Sequence, residues 1–463
     1  MCLDMLVDDA PVATPLRLVT VADLAGLLAG QAAPVRARIE QSGFSGAAGQ
    51  VVQLPDADGS LWAGVGDGVS RRSAAAVAMA VPPGVYRIEG LPAETATEAA
   101  LGWALGSYSF DRLKRADDTP KARLVWPERA DRAQVRLFAE ATTLVRDLIN
   151  LPPNLMVPND LADAARRIAS TGGATLDVIA GDDLLGENYP LVHAVGRAST
   201  QPPCLIDLRW GDASHPRVTL VGKGVCFDTG GSNLKQAPGM LLMKKDMGGA
   251  AHVLALAQMI MAARLPVRLR VLVPAVENSL SGDAMRPLDV IKARNGLSVE
   301  IGNTDAEGRL ILADALAEAV TETPDLLIDF ATLTGAATTA LGTDIGAMLT
   351  NDDGLAAEVA ASSAAMDDPL WRLPLWAPYA PHLKGKSADL INIPDMNIGS
   401  ISAAGAIYGG LFLQNFVASD TPWIHLDIFA WNLSRKDGRP EGGEAHGLLA
   451  IYDLIARRWP VAG

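Results

Sequence analysis

Two carboxylates and a guanidinium stand close together in the run Asn303-Thr304-Asp305-Ala306-Glu307-Gly308-Arg309-Leu310. Carboxylates on alternate residues, with a cation just beyond, can hold hard divalent metals beside an anion or a developing oxyanion. A second segment upstream holds complementary groups: Lys223, Asp228, Lys235 and Asp246. Together the two segments read as a two-metal hydrolase site. Thr304 and Glu307 also have the Thr-x-x-Glu spacing of a capping box, ahead of a helical pattern from Gly308 to about Val320. Capping requires neither Asp305 nor Arg309. It also leaves the Lys/Asp-rich, Gly-punctuated segment upstream unexplained.

These residues must be positioned by elements that the patterning outlines. Strands are expected at Val218–Val221, Val267–Val276, Ser298–Ile301, Leu326–Phe330 and Trp423–Ile428. Helices are expected at Ala250–Ala263, Arg309–Val320, Gly354–Ala365 and Ala445–Trp459. Strands alternating with helices predict an α/β fold, a mostly parallel mixed sheet flanked by helices. Ligands in such sheets bind beyond the carboxyl ends of strands. Lys223, Asp305 and the turn from Ala331 to Gly335 each follow an expected strand, so three loops from one sheet edge can converge.

Residues 1–130 read as a smaller α/β domain, with strands at Val35–Gln41 and Gln50–Leu54 and helices at Ser73–Ala80 and Thr95–Leu105. Residues 131–463 read as the larger domain. A helical pattern over Glu128–Leu151, stopped by Pro152-Pro153, makes 131–150 a linking helix.

Composition narrows the function. Apolar residues make up 49% and charged residues 20% of 463 positions, an ordinary globular balance for two domains. The net charge of −14 disfavours nucleic acid and anionic membranes as partners and suits cations. Cys2, Cys204 and Cys226 are too few and too scattered for a disulfide framework or a Cys-based zinc site, and they fit a reducing compartment. Met1–Ala10 has three acids and no basic segment, so no signal peptide is expected and the chain reads as cytoplasmic. The six histidines show no helical ligand spacing, so oxygen ligands must dominate any metal site.

The segment Gly222-Lys223-Gly224 … Phe227-Asp228-Thr229-Gly230-Gly231 … Leu234-Lys235 … Met243-Lys244-Lys245-Asp246-Met247-Gly248-Gly249, with the 303–310 run, resembles the leucyl aminopeptidase family of dinuclear metallo-exopeptidases. Asn150–Asn154 and the Ala-Thr-Leu-Thr-Gly-Ala run at 331–336 extend the resemblance over residues 131 to the end. The resemblance implies two divalent ions, manganese or zinc. Asp228 and Glu307 would be shared between them. Lys223 and Asp246 would complete the tighter position and Asp305 the more exchangeable one. Lys235 and Arg309 would be the catalytic residues outside the ligand set, with a bicarbonate held by Arg309 as general base. Met243 and Thr332 would line the pocket for the first substrate side chain.

The charges are consistent with these roles. With Lys223 as a neutral amine, four carboxylates balance two divalent ions, and Lys235 and Arg309 leave positive charge for an oxyanion and a small anion. The expected substrate is a peptide with a free N-terminus, and the expected assembly a homohexamer. The sequence departs from the commoner pattern at Thr229, Ser232-Asn233, Gln236 and Tyr408-Gly409-Gly410, which leaves side-chain preference open. A narrow dipeptidase, a catalytically idle binding protein and a DNA-binding role are the competing readings.

Overall fold

The computed structural model describes residues 2–55, 59–114, 120–394, 403–436 and 438–461. They form two compact units, one of Met1–Thr143 with Asn432–Gly442, the other of Leu144–Trp431 with Gly443–Gly463.

The first unit is built on a six-stranded sheet whose central strands, Thr14–Val19, Gly84–Ile88 and Leu61–Gly64, are parallel. Val35–Gln41 is not a strand. It lies within a helix, Ala33–Ser42, with Pro34 in its first turn and Gly43 ending it in the left-handed region at φ 70°. Alternating apolar and charged residues gave it a period of two. The packing uses Val35 and Ile39, one helical turn apart, against a cluster with Val19, Phe44 and Trp62. Pro at the start and Gly past the end are the helix signals that settle it.

The second unit carries a nine-stranded sheet. Its strands in chain order are β1 (Thr175–Ala180), β2 (Cys204–Trp210), β3 (Arg217–Gly222), β4 (Gly224–Asp228), β5 (Arg268–Asn278), β6 (Leu326–Ala331), β7 (Gly346–Thr350), β8 (Leu370–Arg372) and β9 (Trp423–Asp427). The order is β8-β7-β9-β6-β3-β5-β2-β1, with β4 also pairing β5. The β5-β3-β6-β9 centre is parallel, and antiparallel pairings flank it. The expected α/β class therefore holds, with a mixed sheet. β3 and β6 are buried on nearly every residue, as expected for strands covered on both faces. Helices α1 (Gly248–Ala262) and α2 (Gly308–Ala319) bury nearly every side chain as well.

Ser298–Glu300 does not join this sheet. It pairs with Val290–Lys292 and Leu390–Ile391 in a separate three-stranded sheet. The loop that carries Asp305 and Glu307 thus reaches the main sheet edge from a second, smaller sheet. Among the described residues, no helix is long and apolar enough to cross a membrane.

Candidate metal centre and active site

Lys223 sits in the one-residue break between β3 and β4. β5 is long enough to pair with β3 along its first half and β4 along its second. The Lys223 backbone is pinned on both sides: its N–H donates to Phe330 O at 3.0 Å, and its carbonyl accepts from Ala250 N at 2.8 Å. The start of α1 can approach this closely only because residue 249 is glycine. A β-carbon there would lie 2.1 Å from Phe330 O and 2.8 Å from Lys223 N.

The side chains from these loop ends converge in two ion clusters. Lys223 Nζ lies 2.8 Å from Asp246 Oδ2 and 3.0 Å from Glu307 Oε1, and it donates to Thr332 O at 3.0 Å. Lys235 Nζ lies 2.8 Å from Asp228 Oδ2 and 2.5 Å from Asp305 Oδ1. Asp228, Asp305 and Glu307 each offer an oxygen within 4.8 Å of the others.

Lys223, Asp228, Asp246 and Glu307 are at most 3% exposed. Burial alone would draw the Lys223 ammonium down, but Asp246, Glu307 and Asp228 hold it well above the usual lysine range. Burial, reinforced by Glu307 and Asp246, pushes the Asp228 carboxyl up to about 8. Burial also raises Asp246 and Asp305. Four carboxylates, three buried and Asp305 half-buried, face only two lysines, and Glu307 Oε2 has no hydrogen-bond partner. Hard oxygen donors with an amine nitrogen, in a largely buried cluster where burial and mutual repulsion hold carboxyls above their usual range, fit divalent cations.

Arg309 stands in the first turn of α2, 6% exposed. Its Nη1 donates to Asn392 O at 2.7 Å, while its Nε finds no partner. Burial lowers it to about 10, against the pull of Asp427 and Glu307. Among the described residues it forms no ion pair, so the guanidinium can receive an anion.

Thr332 follows β6 and donates through Oγ1 to Asp246 Oδ1 at 2.6 Å. Met243 opens the short 3-10 turn Met243–Met247 that carries Asp246, and its side chain is half-buried. The sequence-derived candidates Lys223, Asp228, Lys235, Asp246, Asp305, Glu307 and Thr332 therefore meet at one place. Met243 shares the turn that carries Asp246, and Arg309 lies two residues after Glu307, in the first turn of α2.

The capping box does not form. Glu307 itself is the residue before α2, with no side-chain cap. The Thr304 hydroxyl donates to Gly230 O at 2.6 Å, and Thr304 N donates to Asn233 Oδ1 at 2.9 Å. Thr304 therefore ties the Asp305 loop to the Gly230 loop.

Three further residues organise the site. Asn278, at the end of β5, donates through Nδ2 to Asp228 Oδ1 at 2.8 Å and to Thr304 O at 3.0 Å. Asn392 accepts from Gly302 N and donates to Asn303 O, fixing the 302–306 loop beside Arg309. Asp427, ending β9, accepts from Leu333 N, Thr334 N and the Thr334 hydroxyl. Each ends a strand or follows one at the ligand-binding edge, which is the signal that could have found them.

The family model for the catalytic domain of the cytosol aminopeptidase family matches residues 143–452. The chain belongs to the cytosol aminopeptidase family. The model for the N-terminal domain of the same aminopeptidases matches residues 14–127. A probable cytosol aminopeptidase of Desulfovibrio desulfuricans is 40% identical over 391 residues, covering 80% of this chain and 77% of its own. The crystal structure of a cytosol aminopeptidase from Coxiella burnetii superposes with TM-score 0.93 at 44% identity, covering 98% of this chain and all of the other. The bottromycin maturation enzyme BotP in complex with Mn superposes with TM-score 0.85 at 36% identity, covering 97% and 100%. As a cytosol aminopeptidase, this chain is a metal-dependent hydrolase that removes N-terminal residues from peptides.

Proposed function

We propose that the cluster holds two divalent ions, manganese or zinc, and that its residues take the roles the family resemblance implies. The observation that carries this reading is the set of four carboxylates, three of them buried, around Lys223 and Lys235, with Glu307 Oε2 unpartnered. Asp228 and Glu307 serve both ions, Lys223 and Asp246 one, and Asp305 the other. Lys223 must then give up a proton, because only the neutral amine can ligate, so metal affinity rises with pH. When bound, the ions act as Lewis acids on the attacking water and the scissile carbonyl.

The remaining chemistry falls to the chain. Lys235 is fixed by Asp228 and Asp305 and carries the positive charge that stabilises the developing oxyanion. Arg309, which forms no ion pair among the described residues, would hold a bicarbonate, and that anion would supply the general base. The Asp305 position receives the substrate's free α-amine, which restricts cleavage to the first residue. Met243 and Thr332 border the first side chain. Residues 131–463 carry these functions, and residues 1–130 take no part in the chemistry. We further propose that the protein works in the cytoplasm as a homohexamer.

Metal titration by calorimetry tests the reading. Two Mn²⁺ should bind per chain, and Glu307→Gln should weaken both events because Glu307 serves both ions. A single site, or two sites indifferent to Glu307, would contradict it.

A further inference from the structure

Lys245 is a buried lysine with no ion-pair partner among the described residues. It lies on the turn Met243–Met247, between Lys244 and Asp246, and is 6% exposed. Its neighbour Lys244 is satisfied, donating to Asn150 O at 2.7 Å and lying over the Trp431 ring. Lys223 and Lys235 face carboxylates. Lys245 Nζ, by contrast, has no hydrogen bond or ion pair among the described residues. Its contact is the face of Phe429, 4.5 Å from the ring centroid. Burial works against its charge, opposed by Asp246 and Asp427, and an anion that reached the amine would hold it charged.

Its surroundings belong to the active-site wall. Phe429 is half-buried and follows Asp427, which orders the Leu333–Thr334 loop. Ala430 packs against Gly248, the residue after the turn that carries Lys245: a β-carbon at Gly248 would lie 2.5 Å from Ala430 Cβ and 3.3 Å from Thr332 Cγ2. Thr332 in turn bonds Asp246. Lys245 thus shares the Met243–Met247 turn with Met243, and Phe429 precedes Ala430, which with Thr332 crowds Gly248 just after that turn.

We propose that Lys245 determines substrate class, its ammonium taking the carboxylate of an acidic first residue whose aliphatic stem lies against Phe429. This rests on the aminopeptidase reading of the site and adds the substrate preference to it. A charge-assisted hydrogen bond in a desolvated pocket favours the acid over its neutral isostere by about tenfold or more.

The test compares kcat/KM for glutamyl and glutaminyl p-nitroanilide with the Mn²⁺-loaded enzyme. The wild type should favour the glutamyl substrate by about tenfold or more. Lys245→Met should bring the ratio to one or below, and Lys245→Arg should keep it above one, with melting curves confirming folded protein. Lys245→Gln serves if the Met variant does not fold. A wild-type ratio of one or less, or a preference that survives loss of the ammonium, overturns the assignment. Leucyl p-nitroanilide separates the two levels. If it is cleaved while the glutamyl preference is absent, only the Lys245 proposal falls. If none of the three is cleaved, the reading of the site falls with it.

Discussion

Gly308 stands where only a hydrogen fits. A β-carbon would lie 2.6 Å from Lys223 Cε and 2.7 Å from its Nζ. Helix propensity argues the other way, since Ala is preferred to Gly by about 1 kcal/mol inside a helix. The clash decides the functional outcome: Gly308→Ala should keep the fold but weaken Mn²⁺ binding at least tenfold, measured by calorimetric titration. Unchanged affinity would show that Lys223 can move without consequence. Asn278→Ala removes one of the hydrogen bonds that orient Asp228 and leaves the Thr304 carbonyl without its Nδ2 donor. Loss of such an orienting partner typically costs 10- to 100-fold in metal affinity, and the same titration reads it. Lys223, Asp228, Asp305 and Glu307 were legible because acids and lysines clustered beside glycines are conspicuous in a sequence. Asn278, Asn392 and Asp427 were not, because single polar residues at strand ends look like ordinary loop residues until the register is known.

At the scale of elements, His252 couples α1 to the segment after Gly443. Its Nδ1 lies 2.6 Å from Gly248 O, and its Nε2 accepts from His446 N at 2.9 Å. That pairing defines one neutral tautomer, with the proton on Nδ1. Burial lowers its pKa to about 3, against the small opposing effect of the Gly248 carbonyl. The folded value lies below the unfolded value near 6.5. The stability it contributes is therefore full above pH 6.5 and is lost as pH falls toward 3. Chemical denaturation from pH 7 to 4 should show this loss, and His252→Gln should reduce its slope. An unchanged slope would place the acid sensitivity elsewhere. Strand and helix types in the second unit followed from periodicity, because runs such as Leu326–Ala331, apolar but for Asp329, alternate with helical patterns. Val35–Gln41 failed because it satisfied one local rule while tertiary partners selected another structure; the Thr304–Glu307 spacing, set aside as a capping box, was likewise overridden by tertiary partners.

At the scale of the whole molecule, the return of Asn432–Gly442 to the first unit was not visible in the sequence, since nothing in its composition marks a change of neighbours. The parallel centre of the sheet was visible, and it explains why residues more than 200 positions apart, Lys223 and Asp427 among them, meet at one edge. The site also fixes the pH dependence expected of the intact enzyme. The substrate α-amine, with a pKa near 8, must be neutral to bind as a ligand. Activity should therefore rise between about pH 7 and 9, and an optimum below about 6.5 would contradict the proposed binding mode. The most direct test of the central claim is hydrolysis of leucine p-nitroanilide at about pH 8.5 by metal-stripped protein, alone and with Mn²⁺ or Zn²⁺ added, beside the N-acetylated substrate. The account predicts activity that metal restores and acetylation abolishes. Activity without metal, or equal cleavage of the acetylated substrate, would contradict it.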